Sequence, residues 1–197
     1  MSNKPINRED WLTRCAIIMS EELFKPSGYN VPRKIRYSVS LPSRNAMSRN
    51  RTTIGQCWSA SVSDDGHNEI FITPLMDDER QVVATLIHEM VHAVVGLNEG
   101  HNKVFKRCAL DVGLEGKMTA TTLSDNTWNY IKPLVDRLGA YPHGKMTPVV
   151  NKKKQTTRMV KVECLNGCNF HYRQSRTMME TAQAACPICN ADMGVKA

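Results

Sequence analysis

Residues 77–105 read DDERQVVATLIHEMVHAVVGLNEGHNKVF, and this stretch decides the fold. Asp77, Asp78 and Glu79 place negative charge where a helix N-terminus favours it. Val82, Val83, Leu86, Ile87, Met90, Val91, Val94 and Val95 then recur at three and four, which predicts a helix buried over most of its surface, ended by Gly96. His88 and His92 are four apart, so both imidazoles rise from one face and can reach one metal ion. Glu89, between them, can take a proton from a water that the metal polarises, the logic of an HExxH helix. Three ionisable groups buried on an apolar helix without partners would be costly, and a metal among them removes that cost.

A catalytic zinc needs a third protein ligand and one open position. Glu99, His101, Asp111 and Glu115 lie downstream. Glu115 is far enough along to complete a two-histidine, one-glutamate site. His101 follows a glycine-containing turn that can fold the next helix back on the first, and histidine is the commoner ligand.

Working outward, Asn7 can cap a helix carrying Trp11, Cys15, Ile18 and Leu23 that stops at Pro26-Ser27-Gly28. Ile35–Leu41 alternates as a strand. Ile54–Val62 and Glu69–Thr73 are two more, joined by the turn Ser63-Asp64-Asp65-Gly66. A helix from His101 carries Val104, Phe105, Cys108, Ala109 and Val112 on one side. Ser124–Leu138 reads as a last helix that Pro133 kinks or divides. From Tyr141 to Thr157 the pattern gives way to Pro, Gly, Thr and Lys152-Lys153-Lys154, a linker composition.

The end of the chain carries Cys164-x3-Cys168, seventeen residues, then Cys186-Pro-Ile-Cys189. Four thiolates in this outline close a tetrahedral shell, so the metal is structural and zinc is expected. Three cysteines with His171 form the competing ligand set. Cys15 and Cys108 repeat with apolar neighbours and read as core thiols. Seven cysteines without a secretory leader, and no apolar run of membrane length, are the pattern of a cytoplasmic protein in a reducing compartment.

The net charge of +7 is uneven. Residues 1–144 carry a net +1, residues 145–176 a net +7, and the last 21 a net −1. Lys25 to Arg51 holds seven basic residues and no acid. Such blocks fit a polyanion partner, nucleic acid first. Lys161, Arg173 and Arg176 stand beside Phe170 and Tyr172, with Lys152, Lys153 and Lys154 upstream. Basic groups with rings that stack on unpaired bases suit a single strand.

His88-Glu-Met-Val-His92 followed by Gly100-His101-Asn-Lys-Val-Phe105 resembles the SprT-like domain, with its HExxH and later GHxxxF, over roughly residues 8–145. SprT-like proteins often end in a zinc ribbon, so the resemblance extends over nearly the whole chain. It implies a catalytic zinc on His88, His92 and His101, with Glu89 catalytic, and a second zinc on Cys164, Cys168, Cys186 and Cys189. The family includes Spartan-type proteases that degrade proteins crosslinked to DNA. The expected architecture is α+β. A zincin-like, SprT-type metallopeptidase domain with a small antiparallel hairpin or sheet spans 1–145, a basic linker 146–157, and a zinc ribbon 158–197. The expected function is a zinc-dependent endopeptidase, recruited by DNA to DNA-bound or crosslinked proteins. A zinc peptidase indifferent to DNA and an inactive DNA-binding adaptor are the alternatives.

Overall fold

In a computed structural model the chain forms two compact units, Met1–Thr147 and Pro148–Ala197, described over residues 5, 7–43, 53–147, 159–181 and 184–195. The architecture is mixed α and β in small sheets.

The first helix, α1 (Arg8–Met19), starts where the Asn7 side chain accepts the Asp10 N–H at 2.8 Å. It buries Trp11, Leu12, Cys15 and Met19 completely and passes into a wider π-helical turn, Ser20–Phe24. Strands β1 (Ile35–Val39), β2 (Gly55–Trp58) and β3 (Asn68–Ile72) form one sheet in the order β1-β3-β2. The sheet is mixed, not wholly antiparallel as expected. The β2–β3 hairpin is antiparallel, but β1 pairs parallel with β3, Ile35 opposite Asn68. Strand β2 runs opposite to both of the others, so β1 and β3 share a direction. The second expected strand also ends early, at Trp58, because Ser59 accepts the Ser61 N–H and starts a 3-10 turn over Ala60–Val62.

Helix α2 (Glu79–Val95) is capped by Asp78, which accepts the Gln81 N–H at 2.8 Å, and it buries every residue from Val82 to Ile87. Gly96 ends it at φ +92°. A 3-10 turn over Leu97–Glu99 then leads to Gly100 at φ +53°, ψ −125°, a conformation that glycine adopts and other residues avoid. Helix α3 (Lys103–Asp111) begins two residues after His101, because Asn102 caps it by accepting the Val104 and Phe105 N–H groups. Phe105, Cys108 and Ala109 are buried, whereas Val104, expected on the same face, is half exposed. A hairpin that the sequence pattern does not announce follows: β4 (Leu114–Lys117) and β5 (Ala120–Leu123), antiparallel, with Leu114 and Leu123 buried. Helix α4 (Asp125–Asp136), capped by Ser124, runs through Pro133 undivided.

Residues 141–146, whose composition reads as linker, are held to the first unit chiefly by one arginine. Arg8 is only 6% exposed. Its guanidinium donates to the carbonyls of Pro142 (2.9 Å), His143 (3.2 Å), Gly144 (2.9 Å) and Pro74 (3.4 Å), and lies 4.9 Å over the Tyr141 ring. The Met146 N–H donates to Pro74 O at 2.8 Å. Arg8→Ala removes a charged donor from four carbonyls at once. The unit should lose about 3 kcal/mol of stability, since charged hydrogen bonds are worth about 1.5–3 kcal/mol each and do not add. Urea unfolding of the two full-length proteins measures this, and an unchanged midpoint would return the arginine to a surface role.

The second unit has strands β6 (Val160–Cys164), β7 (His171–Gln174) and β8 (Met193–Gly194) in the order β7-β6-β8, all antiparallel, with a short helix α5 (Arg176–Thr181). Its buried apolar side chains, among the described residues, are Val162, Cys164 and Cys186. A core this small needs a further source of stability. Among the described residues, no helix is long and apolar enough to cross a membrane.

Two candidate metal centres

The side chains of His88, His92 and His101 converge so that one nitrogen from each lies within 4.8 Å of the others. Two come from one face of α2, and the third arrives through the Gly96–Gly100 turn. The Nε2 atoms of His88 and His101 are 3.1 Å apart. A tetrahedral zinc with bonds of about 2.0–2.1 Å sets neighbouring nitrogens about 3.4 Å apart, so the donor set fits that ion. Phe105 packs against all three rings, with centroid distances of 5.0, 4.5 and 4.8 Å to His88, His92 and His101.

Burial and the neighbouring imidazoles push the His88 pKa down to about 3. Burial first, then His101, pushes His92 down to about 4, and burial lowers His101 as well. At neutral pH their lone pairs are therefore free for a cation. The His88 Nδ1 atom lies 2.8 Å from Thr121 Oγ1 on β5.

The alternative third ligands lie elsewhere. Glu115 is exposed on β4, Glu99 accepts from Asn102 at 2.6 Å, and Asp111 accepts the Tyr29 hydroxyl at 2.7 Å. None of these carboxylates belongs to the histidine group.

Glu89 points away from solvent, 6% exposed, toward β2. Burial pushes its pKa up to about 8, opposed by the Cys57 backbone N–H, which donates to the carboxylate. A dication on the three imidazoles would draw it back down. Strand β2 approaches so closely that a Cβ on Gly55 would lie 2.5 Å from Glu89 Oε1 and 2.6 Å from Thr85 Cγ2. Only glycine leaves the carboxylate its place. Above α2 lies an open cleft lined by Thr53–Cys57 and by Thr119–Thr121, with His88, Glu89, His92 and His101 in its surface. Sequence reading missed Gly55, Cys57 and Thr121; the threonine-rich run 119–122 was the available signal for the last.

In the second unit the four thiols of Cys164, Cys168, Cys186 and Cys189 also gather within 4.8 Å, and Cys164 Sγ is 3.5 Å from Cys189 Sγ. Zinc–sulfur bonds of about 2.3 Å at tetrahedral angles require about 3.8 Å, so these donors fit zinc too. The two turns that present them end at Gly167 and Asn190, both at positive φ. The Ala191 N–H donates to Cys189 Sγ and is the main reason its pKa is lowered. His171, the competing ligand, is exposed on β7, opposite Glu163, and outside the thiol group.

The nucleic-acid candidates divide between faces. Lys161 and Arg173 are directly opposite on β6 and β7, both exposed, and Lys161 also pairs with Glu163. Tyr172 and Phe170 are half buried, their ring centroids 6.3 Å apart, and by strand alternation Tyr172 faces the other side of the sheet from Arg173. Arg176 is exposed at the start of α5. Lys152, Lys153 and Lys154 lie outside the described residues. Within the basic block 25–51, Lys25 pairs with Glu21 at 2.8 Å and Arg36 with Asp65 and Glu69. These two are therefore paired within the first unit, and Arg44, Arg49 and Arg51 lie outside the described residues.

No curated protein and no solved structure gives a significant match to the chain. A family profile described as the SprT-like family matches residues 21–124, more than half of the sequence and all of α2, the histidine group and the β4–β5 hairpin. The SprT-like family is generally of metalloprotease type, and the three histidines are a group that could hold a metal. The chain belongs to the SprT-like family.

Proposed function

We propose that the protein is a zinc-dependent endopeptidase that DNA brings to DNA-bound or crosslinked proteins. The observation that carries the peptidase reading is the buried carboxylate of Glu89, held by the Cys57 N–H, beside three neutral imidazoles at the surface of an open cleft. His88, His92 and His101 hold the catalytic zinc, and the four cysteines hold a structural one. When bound, the zinc supplies a Lewis acid and lowers the pKa of a water. Glu89 takes the proton of the attacking water and delivers it to the leaving amine nitrogen. Burial keeps competing solvent from the carboxylate, and the missing side chain at Gly55 leaves the carboxylate its place against β2.

Support for DNA is the net +7 of residues 145–176, the exposed Lys161–Arg173 pair, and the Spartan-type members of the family. Degradation of a protein substrate by the full chain, with and without single-stranded DNA, tests the reading. Stimulation is expected. Indifference to DNA means a general zinc peptidase, and inactivity with retained DNA binding means an adaptor.

Binding itself should weaken steeply with salt. Replacing Lys152, Lys153 and Lys154 together by Ala should reduce the log–log salt slope by about 2, since each phosphate contact to a single strand contributes about 0.7. Tyr172→Ala should instead weaken binding by about 1–3 kcal/mol with the slope retained, if its ring stacks on a base. An unchanged slope in the triple variant would remove the linker from the interface.

A further inference from the structure

We infer that Thr121 is a positioning residue for the histidine centre: its hydroxyl accepts the Nδ1 proton of His88 and so fixes the tautomer and ring plane of that ligand. This rests on the reading of His88, His92 and His101 as a zinc site.

The argument begins with the two nitrogens of one ring. His88 Nε2 faces His101 Nε2 at 3.1 Å, inside the ligand group, so Nε2 is the atom that offers a lone pair to a metal. A neutral imidazole with a free Nε2 lone pair carries its proton on Nδ1. That nitrogen lies 2.8 Å from Thr121 Oγ1, a good donor–acceptor distance, so the threonine oxygen accepts. Metal-binding histidines characteristically donate their second N–H to a fixed acceptor, which orients the ring and raises its basicity.

The acceptor must itself be held, and the β4–β5 hairpin supplies this. Leu114 and Leu123 are buried at its base, 2% and 1% exposed. Arg80, on α2 about two turns before His88, donates to the Leu123 carbonyl at 2.7 Å and pairs with Asp125 at 2.6 Å. The same helix therefore carries the ligand and ties down the strand that orients it. Gly113, at φ +87°, lies so close to Thr127 that any Cβ would overlap it, which packs the start of the hairpin against α4.

The test compares Thr121→Val, which keeps the shape and removes the oxygen, with Thr121→Ser, which keeps the oxygen. Zinc titrated against a chromophoric chelator reads the histidine site, with the ribbon site as internal reference. Thr121→Val should weaken the histidine site by about 10- to 100-fold, the usual effect of losing an outer-shell partner, while Thr121→Ser should keep wild-type affinity. Equal affinity in Thr121→Val would overturn the role of Thr121. A wild-type chain that takes up only the ribbon zinc would overturn the zinc reading of the histidines, and this inference with it. A second measurement needs no variant. Nitrogen-15 NMR of the zinc-loaded wild type should show a slowly exchanging proton on His88 Nδ1, and a bare or rapidly exchanging Nδ1 would refute the assignment.

Discussion

Glu89→Gln is expected to lower peptide hydrolysis by about a hundred- to ten-thousand-fold, the range that a positioned general base contributes, while zinc stays near two per chain. The amide still accepts the Cys57 N–H through its oxygen and fits the space that Gly55 leaves. It cannot take a proton from water. The carboxylate is outside the histidine group, so the metal has no reason to leave. Zinc content halved by this change would mean that Glu89 is a ligand.

The same substitution has a pH signature in the metal-free protein. The folded pKa of Glu89 is raised to about 8, so the folded state keeps a proton that the unfolded chain loses near pH 4.5. Stability therefore falls as pH rises between those values. His88 and His92 have lowered pKa values and act in the opposite sense, but only below about pH 6.5. From pH 6.5 to 8 Glu89 alone of these three operates, at about 1.4 kcal/mol per unit, so about 2 kcal/mol in all. Urea unfolding after chelation should show that loss in the wild type and not in Glu89→Gln.

His101→Ala should lower metal from about two to about one per chain and abolish activity, whereas Glu115→Ala should change neither. His101 is the exposed member of the histidine group and reaches it only through the Gly96–Gly100 turn. Glu115 is exposed on β4, where its backbone pairs with Thr122. Metal analysis of both purified variants decides between them, because the cysteine zinc remains in each as the standard. Loss of metal in Glu115→Ala with retention in His101→Ala would establish the two-histidine, one-glutamate site instead.

The parts that were legible in the sequence share one property: their pattern is local. Helix α2 announces itself by apolar residues at three and four, His88 and His92 by a spacing of one turn, and His101 by the glycine-containing turn just before it. The four cysteines, though spread over 26 residues, come in two close pairs. The hairpin β4–β5 was not legible because each strand has four residues, Gly116 interrupts one, and only Leu114 and Leu123 are buried. The parallel pairing of β1 with β3 was hidden because its ladder joins residues 33 apart, which no local alternation encodes. Residues 141–146 read as linker because polar, Pro- and Gly-rich chain has no periodicity. What orders them is a buried arginine far upstream, and in sequence an arginine reads as charge on a surface.

The Arg8 contacts also bear on when the first unit can be finished during synthesis. The Arg8 guanidinium reaches one carbonyl 66 positions later, that of Pro74, and three that come 134 to 136 positions later, and Trp11 donates to the Gly139 carbonyl, 128 positions away. The buried guanidinium therefore lacks three of its four carbonyl acceptors until the last stretch of the unit has emerged from the ribosome. Contacts this far apart in sequence form late, because the intervening chain must be ordered before they contribute. The α2 histidines and their turn are complete some forty residues earlier. A nascent chain can thus hold the metal ligands together before its first and last segments have closed on each other, and metal captured at that stage would act on folding as well as on chemistry.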